Sequence, residues 1–250
     1  MSRQVTDERS YDKIGNYLVG KSGFSLREFS EGQIVKHQGA RDNQIYIIKS
    51  GWAMVYTYLP GGSRQVIEVC LPGDVIGTQI AGEELAVLTA FSAWVAPAEG
   101  LPQAIAGRPS IAEFFVAAAV RRRACMTAQI VRLGQRSAAD RTADFLLEVD
   151  ARLRLVGLTE GDSFTLPLTQ NELADLLGLT PIHMSRTLHK LRASGLISLK
   201  RQRVEILNRA AAAERIGFDP AYLGDAEDGA STESGSSSRE RINQGATSYN

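Results

Sequence analysis

The 250-residue chain is poor in the residues that build covalently linked or metal-held scaffolds. Its two cysteines, Cys70 and Cys125, lie far apart and neither has a second cysteine nearby, which excludes a disulfide framework and a paired-thiolate metal site. Both are read as reduced and buried. No apolar run approaches the ~20 residues that span a bilayer, and Met1 to Lys13 is polar, without the apolar centre of a secretory leader. A cytoplasmic location with no membrane partner is expected. Histidine is scarce: there are only His37, His183 and His189, unaccompanied by a nucleophile–base set or a phosphate-cradling glycine loop, so no catalytic residue, metal or cofactor is assigned and the chain is not expected to be an enzyme. Net charge is absent too. Lys plus Arg and Asp plus Glu number 28 each, so only local charge can indicate or exclude a nucleic-acid partner.

What is present is a 44% hydrophobic content, enough for a core, distributed in three textures. Between Phe29 and Val95 the apolar residues are read as short alternating groups, Ile45-Tyr46-Ile47-Ile48, Ala53-Met54-Val55-Tyr56 and Val66-Ile67-Glu68-Val69, punctuated by turn residues such as Gly51, Pro60-Gly61-Gly62 and Pro72-Gly73-Asp74. A small antiparallel barrel or jelly roll follows. From Ser110 to Val156 there is no proline, and Ile111, Phe115, Ala119, Met126, Ile130 and Leu133 recur at helical spacings. The pattern predicts a long helix, broken or bent near Gly134. Its alanine-rich first half, with one narrow apolar stripe and three successive arginines, Arg121 to Arg123, suits a seam against a second copy; a core helix within a monomer is the alternative. Leu166 to Leu207 carries two short helical patterns, a third helix and a final alternating hairpin. After Asp219 the chain is rich in Gly, Ser, Asp and Glu, which predicts a disordered acidic tail.

The functional signal lies in the third region. Thr169 and Glu172 form a capping-box signature, Gly178 stops the helix they open, and Thr180-Pro181 starts the next, whose apolar face is read as Ile182, Met184, Leu188 and Leu191. Ala174, Gly178 and Met184 stand where a helix-turn-helix needs close approach, a left-handed turn and a core anchor. The other face of the second helix presents His183, Ser185, Arg186, His189 and Lys190, donors suited to base edges and phosphates. Ser198 to Leu207, with Lys200, Arg201 and Arg203, reads as a β-wing against DNA backbone. Six basic residues stand against three acidic ones between Leu166 and Leu207. A solvated protein–protein helix pair is the competing interpretation.

The order of strand-rich barrel, long helix and TQNELADLLGLTPIHMSRTLHKLRASGLI resembles the cyclic-AMP receptor and fumarate-nitrate regulator (Crp/Fnr) family over roughly Phe24 to Asn208, with EGQIVKHQGA, IYIIKSGWAMVY and LPGDVIG similar to its structural turns and strands. The resemblance implies an α+β chain: N-terminal extension 1–23, cyclic-nucleotide-binding-type β-barrel sensor (jelly roll) 24–108, dimerisation helix 109–135, winged helix-turn-helix DNA-binding domain 136–218 and disordered tail 219–250. It implies that Ser185 and Arg186 contact bases, Arg186 foremost, and that Thr169, Gln170 and Thr180 contact phosphates. Ile182 replaces the family's usual glutamate, so the familiar half-sites do not carry over, and His183 is expected to read a neighbouring base.

In the sensor domain the positions matching the family's Gly-Glu and Arg-Ser/Thr pairs are Gly77-Thr78 and Phe91-Ser92. Without the arginine a buried cyclic phosphate lacks its counter-charge, so cyclic AMP is not the expected effector. Residues 1 to 30 contain no cysteine, which argues against an iron–sulfur cluster there. His37, alone beside a strand, reads as a surface residue rather than an iron ligand. The expected function is a sequence-specific transcription regulator binding a palindromic double-stranded operator as a homodimer, with RNA polymerase as a further partner and a small-molecule effector of unknown identity. A ligand-sensing module acting on a protein partner without DNA is the alternative.

Overall fold

The computed structural model describes residues 9–21, 23–40, 43–77, 82–106, 108–159 and 161–224. The chain opens with α1 (Ser10–Leu18), followed by eight strands: β1 (Ser25–Phe29), β2 (Ile34–Lys36), β3 (Gln44–Ser50), β4 (Ala53–Tyr58), β5 (Arg64–Cys70), β6 (Val75–Gly77), β7 (Glu84–Val87) and β8 (Phe91–Pro97). They form two four-stranded antiparallel sheets, ordered β1-β8-β3-β6 and β2-β7-β4-β5. Tyr46, Ile48, Val55, Leu85, Phe91 and Val95 meet between them as the jelly-roll core.

The apolar groups in the sequence are continuous rather than strictly alternating because both sheets are covered on their outer faces as well. Ile47 and Trp94 point outward from the first sheet and are buried under α1. Gly15 permits that close approach: a Cβ there would lie 2.2 Å from the Trp94 ring. On the second sheet Met54, Tyr56, Val66 and Val69 point outward into a core shared with the C-terminal half. The N-terminal extension therefore contributes a packed helix to the barrel.

A short 3-10 turn (Ala98–Gly100) and α2 (Leu101–Ile105) lead into α3 (Pro109–Gln135), 27 residues long, about 40 Å at ~1.5 Å per residue. The expected break near Gly134 falls at Arg136, where Ser137 caps α4 (Ala138–Leu155) by accepting from the Asp140 amide. The outward face of α3 shares only Ala119 and Ile130 with the stripe that spacing suggested. Ile111 is buried and Phe115, Met126 and Leu133 are half-buried against the chain's own core, whereas Val116, Val120, Ile130 and Val131 are exposed. Both stripes have helical period, and period alone does not say which faces the fold.

The C-terminal half continues with β9 (Ser163–Thr165), α5 (Gln170–Leu177), α6 (Pro181–Ala193), β10 (Ile197–Lys200), β11 (Arg203–Ile206), α7 (Arg209–Ile216) and a 3-10 turn (Pro220–Leu223). Two of the expectations need correction. Between Leu166 and Leu207 there are two helices, not three; the third, α7, follows the hairpin, because Asn208 caps it through the Ala211 amide. The start of the expected tail is ordered: Leu223 is buried and the Tyr222 hydroxyl donates to Glu148 Oε2 at 2.9 Å. The remainder of that tail, 225–250, lies outside the described residues.

Buried ion pairs join the long helices. Arg132 of α3, almost wholly buried, donates to Asp144 at 2.9 Å and Glu148 at 2.8 Å on α4. Such pairs add little net stability but leave costly orphan charges when one partner is removed, so they fix how α4 lies on α3.

Candidate nucleic-acid interface

Local chemistry sets the two helices of the site. The Thr169 amide donates to Glu172 Oε2 at 2.8 Å and the Glu172 amide to Thr169 Oγ1 at 3.2 Å, closing the capping box at the start of α5. Gly178 ends α5 in the left-handed conformation, φ 61°, which a side chain would strain. Two residues on, Thr180 Oγ1 accepts from the His183 amide and Pro181 occupies the first turn of α6. Ala174 and Met184 are wholly buried, so the two helices are held together as the spacing predicted.

Met184, Thr187 and Leu191 fasten α6 to the core, with Leu188 half-buried beside them. At 100° per residue this leaves the opposite face free, and His183, Ser185, Arg186, His189 and Lys190 all lie exposed on it. Ile182 joins them. It is 68% exposed, not part of the apolar face as its hydrophobicity suggested, because it precedes Met184 by two residues and so points nearly opposite. The side chains of Arg186 and Lys190 make no ion pair or hydrogen bond with the described residues, so their charge is directed to solvent.

The wing is a three-stranded sheet, β10-β11-β9. Its tip turns at Arg201 and Gln202, both with positive φ (49° and 67°), while Lys200 and Arg203 pair across it. A two-residue turn of this kind matches strand twist but is usually made with Asn or Gly. Arg192 of α6 donates to the Leu199 carbonyl at 3.0 Å and ties the wing to the helix. Lys200 and Arg201 are exposed at the tip, whereas Arg203 is turned back, its Nη2 donating to Ser163 Oγ at 2.5 Å. Strand β9, absent from the sequence reading, supplies that acceptor. Its three residues are too few to give an alternation.

A groove of about 410 Å³ runs between the start of α5, α6 and the wing, bringing together Thr169, Gln170, Ser185, His189 and Lys200. Gln170 Nε2 donates to the Pro181 carbonyl at 3.2 Å, bracing the two helix starts. Thr180, His183, Arg186, Lys190 and Arg203 do not line the groove. Arg192 and Arg201 do, and neither was among the expected site residues, although Arg201 had been assigned to the wing.

The expected effector positions are placed differently. Gly77 pairs with Ile45, which pairs on its other side with Ala96; Ser92 lies four residues along β8 from Ala96, about 13 Å away. Phe91 is buried edge-on to Phe29, and Ser92 Oγ is 2.7 Å from Ser50 Oγ. Thr78 lies outside the described residues. His37 is an exposed side chain with Nδ1 3.8 Å from Glu84 Oε2. Burial raises the pKa of both thiols, that of Cys125 to about 12, so neither is a thiolate at neutral pH. Among the described residues there is no group of three or more His, Cys, Asp and Glu arranged to hold a metal ion, and no helix long and apolar enough to cross a membrane.

Comparison with known proteins covers both halves of the chain. Residues 140–214 match the model of a Crp-like helix-turn-helix domain, and residues 26–105 that of a cyclic nucleotide-binding domain. The chain is 31% identical over 216 residues to the nitrogen fixation regulation protein FixK of Bradyrhizobium diazoefficiens, covering 84% of this chain and 85% of that protein. It is 30% identical over 209 residues to the transcriptional activatory protein AadR of Rhodopseudomonas palustris, covering 81% and 82%. Its fold is similar to the solved structure of FixK2 from Bradyrhizobium japonicum, with a TM-score of 0.67 at 22% identity, over 76% of this chain and 96% of that one.

Proposed function

The chain belongs to the Crp/Fnr family of transcription regulators, and from that premise we propose that it acts as a cytoplasmic homodimer that reads a palindromic promoter site with α6. The observation that carries this reading is the outward face of α6, where Arg186 and Lys190 are held out by a buried anchor and left without ion-pair or hydrogen-bond partners among the described residues. In a major groove, Arg186 and Ser185 meet base edges, Ile182 and His183 lie beside the neighbouring bases, and His189 and Lys190 reach the backbone. Thr169, Gln170 and Thr180, at or beside helix starts, and Lys200 at the wing tip face phosphates, and Arg203 reaches them on release from Ser163.

Pairing is supported by α3. Val116, Val120 and Ile130 are each more than 60% exposed along one stripe at coiled-coil spacing. Two copies joined there present their α6 helices about 34 Å apart, one turn of B-DNA. Phe91, where the family's cyclic-nucleotide pattern has arginine, argues against a cyclic nucleotide as effector. RNA polymerase is the partner that promoter binding implies.

Salt titration of duplex binding tests the reading. Phosphate contacts release counterions, so the logarithm of affinity falls against the logarithm of salt with a slope of about −0.9 per contact. A protein-partner module without DNA affinity predicts no binding to duplex at any salt concentration.

A further inference from the structure

A cavity of about 40 Å³ lies where β5 meets α3 and α4. One water needs ~10–15 Å³ on the same measure, so the space admits a molecule of roughly three or four heavy atoms and no nucleotide. Gly77, Phe91 and Ser92 do not line it.

Its wall carries four arginines, Arg121, Arg122, Arg132 and Arg152, against three carboxylates, Glu68, Asp74 and Glu148. Glu68 holds Arg122 through hydrogen bonds of 2.5, 3.0 and 3.1 Å. Arg132 is held by Glu148 and by Asp144, which Arg136 shares at 3.6 Å. Arg152 reaches from α4 to Asp74 at 2.5 Å and to the Val69 carbonyl at 3.0 Å.

Two sets of donors remain. The Nε of Arg152 is buried without a hydrogen-bond partner, on a side chain only 10% exposed. Half-buried Arg121 has no ion pair or hydrogen bond with the described residues. A buried cationic N–H without an acceptor is unfavourable, and one positive charge is in excess around the space. Planar oxyanions match guanidinium donors in geometry and charge.

We propose that this cavity binds a small monovalent oxyanion between Arg121 and the Nε of Arg152. The anion completes the arginine's hydrogen bonding and neutralises the excess charge. Because Arg152 bridges α4 to the barrel, occupancy tightens the joint between the sensor barrel and the DNA-binding half.

The full-length protein, equilibrated in sodium gluconate, whose anion is too large to enter, is titrated calorimetrically with sodium formate and with sodium nitrate at constant ionic strength, alongside thermal unfolding. The expected result is one saturable site per chain and a higher unfolding midpoint in formate or nitrate than in gluconate. Arg121→Ala, which breaks no ion pair, should keep the midpoint in gluconate and weaken anion binding at least tenfold. Arg152→Lys, which keeps a charge beside Asp74 but removes the Nε donor along with the contacts to the Val69 carbonyl and Glu148, should also weaken anion binding at least tenfold, judged against its own, lower midpoint in gluconate. If formate, nitrate and gluconate behave identically, water fills the space and the proposal fails. Saturable binding unchanged in Arg121→Ala places the anion elsewhere and also overturns it, and an equally tight chloride site overturns the oxyanion class.

Discussion

Arg64 of the barrel strand β5 and Asp175 of α5 meet at 2.9 Å, and the neighbouring Gln65 Nε2 donates to the Asp175 carbonyl at 2.8 Å. The first helix of the helix-turn-helix is thus fastened to the sensor barrel, over the apolar contact of Val66 and Val69 with the C-terminal core. Both side chains of the pair are partly solvated, and such pairs contribute about 0–1 kcal/mol. Arg64→Ala should therefore lower global stability by less than about 1 kcal/mol, while amide exchange in α5 speeds up relative to α6. Unchanged exchange in α5 would show that the apolar contact alone holds the joint.

Arg186→Ala should remove roughly 1–3 kcal/mol of base discrimination without loss of stability, because the side chain is exposed and makes no ion pair or hydrogen bond with the described residues. Affinity for the preferred site against single-base variants measures this. Loss of affinity equal on every sequence would instead make Arg186 a phosphate contact.

Val120→Glu places a charge in the exposed stripe of α3, where an isolated chain loses nothing. Sedimentation should show a shift from dimer to monomer at micromolar concentration, with unchanged circular dichroism. A dimer that survives the substitution puts the pairing surface elsewhere.

Stability should fall as pH rises above about 9, through ionisation of two desolvated thiols, Cys70, which is buried, and Cys125, which is half-buried rather than buried as expected. Their folded pKa values are raised by burial, that of Cys125 to about 12. The folded state holds its protons where the unfolded state has released them, so the stabilisation is complete below the unfolded pKa near 8.5 and is lost as pH rises towards 12. Denaturant midpoints between pH 8 and 11 test this, with Cys125→Ala expected to flatten part of the decline.

The helix-turn-helix was legible in the sequence because its signals are local. The Thr169–Glu172 box, the left-handed Gly178 and the Thr180 cap each act within a few residues, and each is present in the structure. Signals of orientation were less legible. Ile182 and the stripe of α3 have the right period, yet which side faces inward depends on elements distant in the chain. Arg132, Asp144, Glu148 and Arg152 gave no signal, since their partners are set by how α4 packs on α3 and the barrel. The tail boundary was drawn too early because composition averages over a window and hides two anchoring side chains, Tyr222 and Leu223.

Selection of bound sequences from random duplex DNA by the purified protein tests the central claim most directly. Two joined copies reading with α6 predict enrichment of a two-fold palindrome whose half-sites are centred about 10 base pairs apart. Enrichment of an unsymmetric site, or equal recovery of all duplexes, would contradict it.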